Sequence, residues 1–374
     1  MTLPEEGRPG ALLLAMNVGS SSLKFAVARA DDPSVQLFAG AADRLGADGA
    51  KLLCGPPDAE PSRKQIPGAD HAVALKEVAA AIAESFPGAT VTGIGHRIVH
   101  GGAEFLQPTL IDDSVLTALD GLITLAPLHQ PPGLKGIRTL ATLYNGVRQV
   151  ACFDTAFHAT KPWVHEAIAL PERFYDMGLR RYGFHGLSCQ SICRMLAAEG
   201  FPYADCKLVI AHMGNGCSAT AVRDGKSIAC SMGFSTLDGL AMGTRAGRVD
   251  AGAILHLLHQ GFDVHEVEDL LYRRAGMLGL SGFSNDMRDL LASDDPKAAR
   301  AIDFFVERAV EEISRMAGAL RGLDTVVFCG GIGENAHPIR ERICDGLAFL
   351  GPETLVRQTD EESEILLETA RLVS

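Results

Sequence analysis

Four polar side chains stand where short apolar runs end or glycine turns begin. Arg97 follows VTGIGH, Asp154 follows VACF, His185 lies in RRYGFHG, and Arg245 lies in SMGFSTLDGLAMGTRAGRV. Ligand-binding groups of open α/β sheets gather at strand ends. Arg97 at such an end reads as an anion holder, or as one half of a surface ion pair. Asp154, with Thr155 and His158 beside it, is a candidate orienting or basic group; the alternative is a helix N-cap. His185 is flanked by Gly183 and Gly186, so backbone can approach a ligand closely there; the plainer alternative is a structural imidazole. Arg245 and Arg248 sit in a stretch with four glycines and little regular pattern. A stretch that irregular inside a compact domain is usually functional.

The elements around these groups admit anion chemistry. Leu12–Ala15 is a short apolar run that suits a buried strand. Asn17-Val18-Gly19-Ser20-Ser21-Ser22 then turns, and Leu23, Phe25 and Val27 alternate back as a second strand. With Lys24, that turn can bring backbone N–H groups and a cation to a phosphate, or it can be an ordinary hairpin. No GxxxxGKS or GxxxxGKT occurs, so it is not a Walker loop. KLVIAHMGNGCSATAV, 207–222, repeats the pattern. A shift of about 195 residues sets Asn17 on His212, Gly19 on Gly214, Ser21 on Gly216, Ala26 on Ala221 and Val27 on Val222. Two such hairpins suggest duplicated halves. Thr325–Cys329 reads as a buried strand, and Gly330-Gly331-Ile332-Gly333-Glu334-Asn335 after it places backbone N–H groups at a helix start. It is not GxGxxG, which disfavours a dinucleotide.

Elsewhere the spacing predicts amphipathic helices over 71–85, 251–260 and 297–322 and one starting at Gly133. Residues 41–70, rich in Gly, Pro and charge, read as a surface excursion. His256 and His259 read as surface groups rather than metal ligands. The 374 residues suggest two domains. A composition of 47% hydrophobic and 21% charged residues is that of an ordinary globular protein. The net charge of −12 argues against a general nucleic-acid binder. No apolar run approaches the roughly 18 residues of a membrane span, and the acidic start lacks the basic residues of a signal peptide. Nine cysteines without a CxxC pair read as reduced thiols in a cytoplasm.

Together NVGSSSLKF, HRIVHGG, APLHQP, FDTAFH, RRYGFHG, HMGNGCSATAV, SMGF with LDGLAMGTRAG, GLSGFSNDMRDL, GGIGEN and TDEE resemble the acetate kinase family of acetate and propionate kinases. That family belongs to the sugar kinase, Hsp70 and actin superfamily. The pieces keep the family's order across residues 12 to 362. The resemblance implies a two-lobed, actin-like (ribonuclease H-like) α/β fold with a duplicated βββαβαβα core and an active-site cleft between lobes. It places the lobes at 1–156, completed by a C-terminal helix 362–374, and at 157–361. It implies reversible transfer of the ATP γ-phosphoryl group to acetate, with Mg²⁺, for which Mn²⁺ can substitute.

The resemblance also carries roles. Arg97 is assigned to the carboxylate substrate and Arg245 to the transition state, since guanidinium offers paired donors. His185 steadies the transferring phosphoryl group, and His129 supports the site. Asp154 is preferred as an orienter of an arginine or Mg²⁺, because acetate needs no deprotonation near neutral pH. Val99, Leu128 and Phe184, with Thr236, line the acyl pocket, and Val99 favours acetate over propionate. Lys24, His212, Met213, Gly214, Asn215 and Gly216 serve the ATP phosphates. Asp286, Met287 and Arg288 border the adenosine, and Gly331, Ile332, Gly333, Glu334 and Asn335 close that pocket. Asn17 and Glu361 neighbour the metal, offering oxygen to a hard cation.

Gln130, Thr236, Arg248, Leu187 and Cys189 depart from the family pattern without removing a named catalytic group. The resemblance further implies a cytoplasmic homodimer, without nucleic-acid or membrane partners. The alternatives are a propionate or other short-chain acyl kinase, and a non-catalytic ATP-switched binding protein on the same core.

Overall fold

The computed structural model describes residues 10–374 except Leu128 and Asp205. Two compact units emerge, one ending at Ala156 and completed by Asp360–Ser374, the other spanning Phe157–Thr359.

The first unit is built on β1 (Ala11–Val18), β2 (Ser22–Arg29), β3 (Asp32–Asp43), β4 (Lys51–Gly55), β5 (Ser62–Gln65), β6 (Thr90–Ile98), β7 (Thr109–Leu110) and β8 (Arg148–Phe153). They form one sheet in the order β5-β4-β3-β2-β1-β6-β8-β7. β1 pairs antiparallel with β2 and parallel with β6, and β6 pairs parallel with β8. β1 is a continuous apolar run because both of its faces are covered. Leu12, Leu14 and Met16 join a core with Leu75, Val78 and Ile82 of the helix His71–Ser85. Burying each such side chain contributes roughly 1.5–3 kcal/mol. On the other face the helix Glu361–Val373 lies directly on β6. A Cβ on Gly95 would stand 2.1 Å from Thr369 Oγ1 and 2.4 Å from Ile365, so only glycine admits this helix.

Residues 41–70 are not simply a surface excursion. Much of that stretch is sheet: the end of β3, then β4 and β5 in an antiparallel meander. Every residue of β5 is exposed, so no alternation of apolar residues betrays it. The helix expected from Gly133 runs Gln130–Leu143, with prolines in its first turn. A missing N–H costs nothing there.

The second unit repeats the plan. Its strands are β9 (Leu208–Met213), β10 (Cys217–Arg223), β11 (Lys226–Cys230), β12 (Thr325–Cys329) and β13 (Glu353–Val356), in the order β11-β10-β9-β12-β13. β9–β10–β11 is an antiparallel meander, and β12 and β13 add in parallel. The path matches β3-β2-β1-β6-β8 strand for strand, so β4, β5 and β7 are additions to a duplicated core. The long helix is Pro296–Leu320, capped by Asp295 and ended by Arg321 in the left-handed region. Among the described residues, no helix is long and apolar enough to cross a membrane.

Candidate active site

In the first unit, the ends of β1, β6 and β8 and the start of the helix Glu361–Val373 bring Asn17, Arg97, Asp154 and Glu361 together. Arg97 donates from Nε to Asp154 Oδ1 at 2.9 Å and from Nη2 to Oδ2 at 2.6 Å. Its Nη1 meets Asn17 Oδ1 at 3.1 Å and Glu361 Oε2 at 3.1 Å. Asn17 turns its Nδ2 to Glu361 Oε2 and to Glu362 Oε1, both at 2.9 Å. Burial opposes the charge on Arg97, but Asp154 and Glu361 outweigh it and raise the pKa. The paired donors of this guanidinium therefore face Asp154, not an open site. Four contacts engage a group with five N–H donors.

Negative charge exceeds positive charge here. Burial, then the neighbouring Glu361, raises the pKa of Glu362. Two adjacent carboxylates and an amide oxygen, opposed by one guanidinium, fit a hard divalent cation that keeps several waters. Among the described residues, no cluster of three or more His, Cys, Asp and Glu is arranged as a metal cage. Lys24 is exposed on β2, in register with Asn17, where its charge partly offsets the rise in the Glu362 pKa. Glu362, in the first turn of Glu361–Val373, joins this group by accepting from Asn17 Nδ2.

The turn after β6 is tightly held. Buried His100 accepts from the Gly102 N–H through Nδ1 at 2.8 Å, and Gln130 Nε2 donates to the His100 carbonyl at 3.1 Å. Burial pushes the His100 imidazole down to about 4. His129 is half-buried at the N-terminus of Gln130–Leu143, and Val99 is half-buried just past β6. Leu128 lies outside the described residues.

In the second unit, His185 caps the helix Gly186–Ala198 with φ 58° and ψ 30°. A non-glycine residue in that region is uncommon and marks a position worth a functional reading. Its Nδ1 lies 3.0 Å from Ser218 Oγ on β10, and its ring stacks on His212 with centroids 4.3 Å apart. A Cβ on Gly216 would stand 3.1 Å from His185 Nε2 and 3.9 Å from Arg245 Nη1. Gly216, in the turn between β9 and β10, thus lets backbone approach the His185 ring closely, with Arg245 in ordinary contact distance. Arg245 Nη1 donates to the Thr236 carbonyl at 3.3 Å. Phe184 is buried beside His185 in sequence.

A cleft of about 620 Å³ in this unit is lined by Gly214, Asn215, Asp286, Met287, Arg288, Gly331, Ile332 and Asn335. Asn285, Leu291, Ala336 and Pro338 also line it and were not anticipated. Lys24, His212, Met213, Gly216, Gly333 and Glu334 do not line it. Met213 is wholly buried, and Glu334 Oε1 accepts from the Gly330 N–H at 2.9 Å, capping its own helix. Asp286 caps the short helix Met287–Leu291.

A duplicated βββαβαβ core, a glycine turn beside His185 and a cleft of about 620 Å³ fit a phosphotransferase of the actin-like fold. The model of the acetokinase family matches residues 12–368, and the chain belongs to that family. An acetate kinase of Methylocella silvestris is 44% identical over 359 residues, covering 91% of this chain and 87% of that protein. The crystal structure of a propionate kinase from Francisella tularensis superposes with TM-score 0.89 at 34% identity, covering 97% of this chain and 100% of the other. That of Porphyromonas gingivalis acetate kinase gives 0.84 at 31%, with coverage of 97% and 100%.

Proposed function

We propose that this chain transfers the γ-phosphoryl group of ATP to acetate, forming acetyl phosphate and ADP, and runs the reverse reaction. The observation that carries this reading is Arg97, a strand-end guanidinium fixed by the bidentate Asp154 contact in an acetokinase-family chain. An acetate oxygen attacks the γ-phosphorus; the new O–P bond forms as the bond to the β-phosphate oxygen breaks, and ADP leaves with that electron pair. Acetate is already ionised, so no base is needed, and Asp154 orients Arg97 instead. Arg97 meets the carboxylate through its charge and its remaining donor capacity. His185 and Arg245 neutralise charge on the equatorial oxygens of a loose transition state. Backbone N–H groups of the Gly214–Gly216 turn cradle phosphate, and the 620 Å³ cleft takes the adenosine.

Mg²⁺ would be held by Asn17 and Glu361, with Glu362 beside them, and would neutralise phosphate charge when bound. Closure over the substrates would exclude water and limit hydrolysis of ATP. A homodimer working in a reducing compartment completes the proposal.

The second reading, a propionate kinase, is favoured by the high structural similarity to the Francisella protein. Hydroxamate trapping of acyl phosphate tests both, using ATP and Mg²⁺ with acetate, propionate or butyrate. Acetate-dependent product that collapses in Arg97→Ala supports the first reading. Product mainly from propionate moves the assignment to the second. No product from any acid refutes both.

A further inference from the structure

Lys161 is 8% exposed, and its two hydrogen bonds go to main-chain carbonyls: His158 O at 3.1 Å and Tyr182 O. Among the described residues no carboxylate forms an ion pair with it. Burial pushes the ammonium down to about 8. A buried cation that no carboxylate contacts, with Glu166 acting on it only from a distance while paired to Arg180, is an expensive way to fill space that methionine would fill more cheaply. The contacts show what it accomplishes. His158, fixed through Nδ1 by Ser227 Oγ at 2.8 Å, reaches through Nε2 to the Phe184 carbonyl at 2.9 Å. Lys161 ties the carbonyl of His158 to that of Tyr182. From the other side the Tyr182 N–H donates to the Gly233 carbonyl at 2.9 Å. Gly183, with φ 84°, passes so close to His158 that a Cβ there would stand 2.7 Å from the ring. Residues 182–184 are therefore clamped immediately before His185, whose left-handed backbone must be held by its surroundings.

We propose that Lys161 is a positioning residue that, with His158, clamps the Tyr182–Phe184 backbone and so aims the His185 imidazole. The inference rests on the reading that His185 meets the transferring phosphoryl group. It assigns Lys161 no contact with substrate.

The test is a double-mutant cycle on the full chain, reading kcat, KM for ATP and Tm. Lys161→Met is expected to lower kcat about tenfold or more, since small misplacements of a catalytic group are that damaging. KM for ATP and Tm should stay near wild type. Lys161→Gln, which keeps an N–H donor one bond shorter, should recover part of the lost kcat, and it carries the test if the methionine variant does not fold. In a His185→Ala background the Lys161 substitution should have no further effect on kcat. Equal losses in both backgrounds, or wild-type kcat in Lys161→Met and Lys161→Gln, would overturn the proposal. Wild-type kcat in His185→Ala alone would overturn the role of His185 as well, which separates that failure from the first.

Discussion

Replacing Arg97 by lysine keeps the positive charge and removes the planar fork. In the native side chain Nε and Nη2 grip both oxygens of Asp154 at 2.9 and 2.6 Å while Nη1 reaches Asn17 and Glu361 at 3.1 Å. One ammonium on a flexible stem cannot keep these directions together. The side chain of Arg97 is 21% exposed and that of Asp154 1%, so water replaces the lost bonds poorly. Loss of one well-aimed donor in such a site typically costs about 10²–10³ in rate, or roughly 3–4 kcal/mol of transition-state stabilisation. We expect kcat/KM for acetate to fall by about that factor in Arg97→Lys. The retained charge limits the loss of folding stability to about 1–3 kcal/mol, a fall in Tm of several degrees. The hydroxamate assay reads the first quantity and thermal unfolding the second. Activity within about threefold of wild type would show that charge alone suffices, and would refute the argument from geometry.

Gly331 lines the cleft, and a Cβ placed on it meets nothing within 4 Å. Gly331→Leu should therefore raise KM for ATP about tenfold or more with Tm unchanged or higher, as leucine favours the helix over glycine; an unchanged KM would move the adenosine elsewhere. Glu361→Gln removes one charged oxygen beside Asn17 and should raise the Mg²⁺ concentration for half-maximal activity several-fold, whereas an unaltered Mg²⁺ dependence removes Glu361 from the metal site. Burial holds the His96 and His100 imidazoles at about 4, against about 6.5 in an unfolded chain. The unfolded state then binds more protons between those values, so stability is full above about pH 6.5 and falls as the pH drops toward 4. By linkage the loss between pH 7 and 5 is at most roughly 2 kcal/mol per histidine; an unmoved urea midpoint across that range would show both rings titrating normally.

Periodicity was informative where burial is one-sided. The helix His71–Ser85 follows its apolar spacing residue for residue, and five matched positions in two hairpins anticipated the shared strand order of both units. Periodicity failed where burial is absent, as in β5 with four exposed residues, and it set a helix start at Gly133 that the prolines before it carry back to Gln130. Site residues at strand ends were visible because they interrupt apolar runs. Groups that act from a distance in sequence were not. Glu362 looks like any first-turn acid until Asn17 is seen donating to it. Lys161 looks like a surface lysine until the Tyr182 carbonyl is found against it. His158 was read beside Asp154 but holds the Phe184 carbonyl. Lys24, read with the nucleotide phosphates, stands opposite Asn17, where its charge acts on Glu362.

The most direct test of carboxyl phosphoryl transfer is the reverse reaction. Purified chain is mixed with ADP, Mg²⁺ and acetyl phosphate, and ATP is read by luminescence. The account predicts ATP formation that requires acetyl phosphate, is not supported by acetate plus inorganic phosphate, and is lost in Arg97→Ala. Absence of ATP from an enzyme that still binds ADP would contradict it.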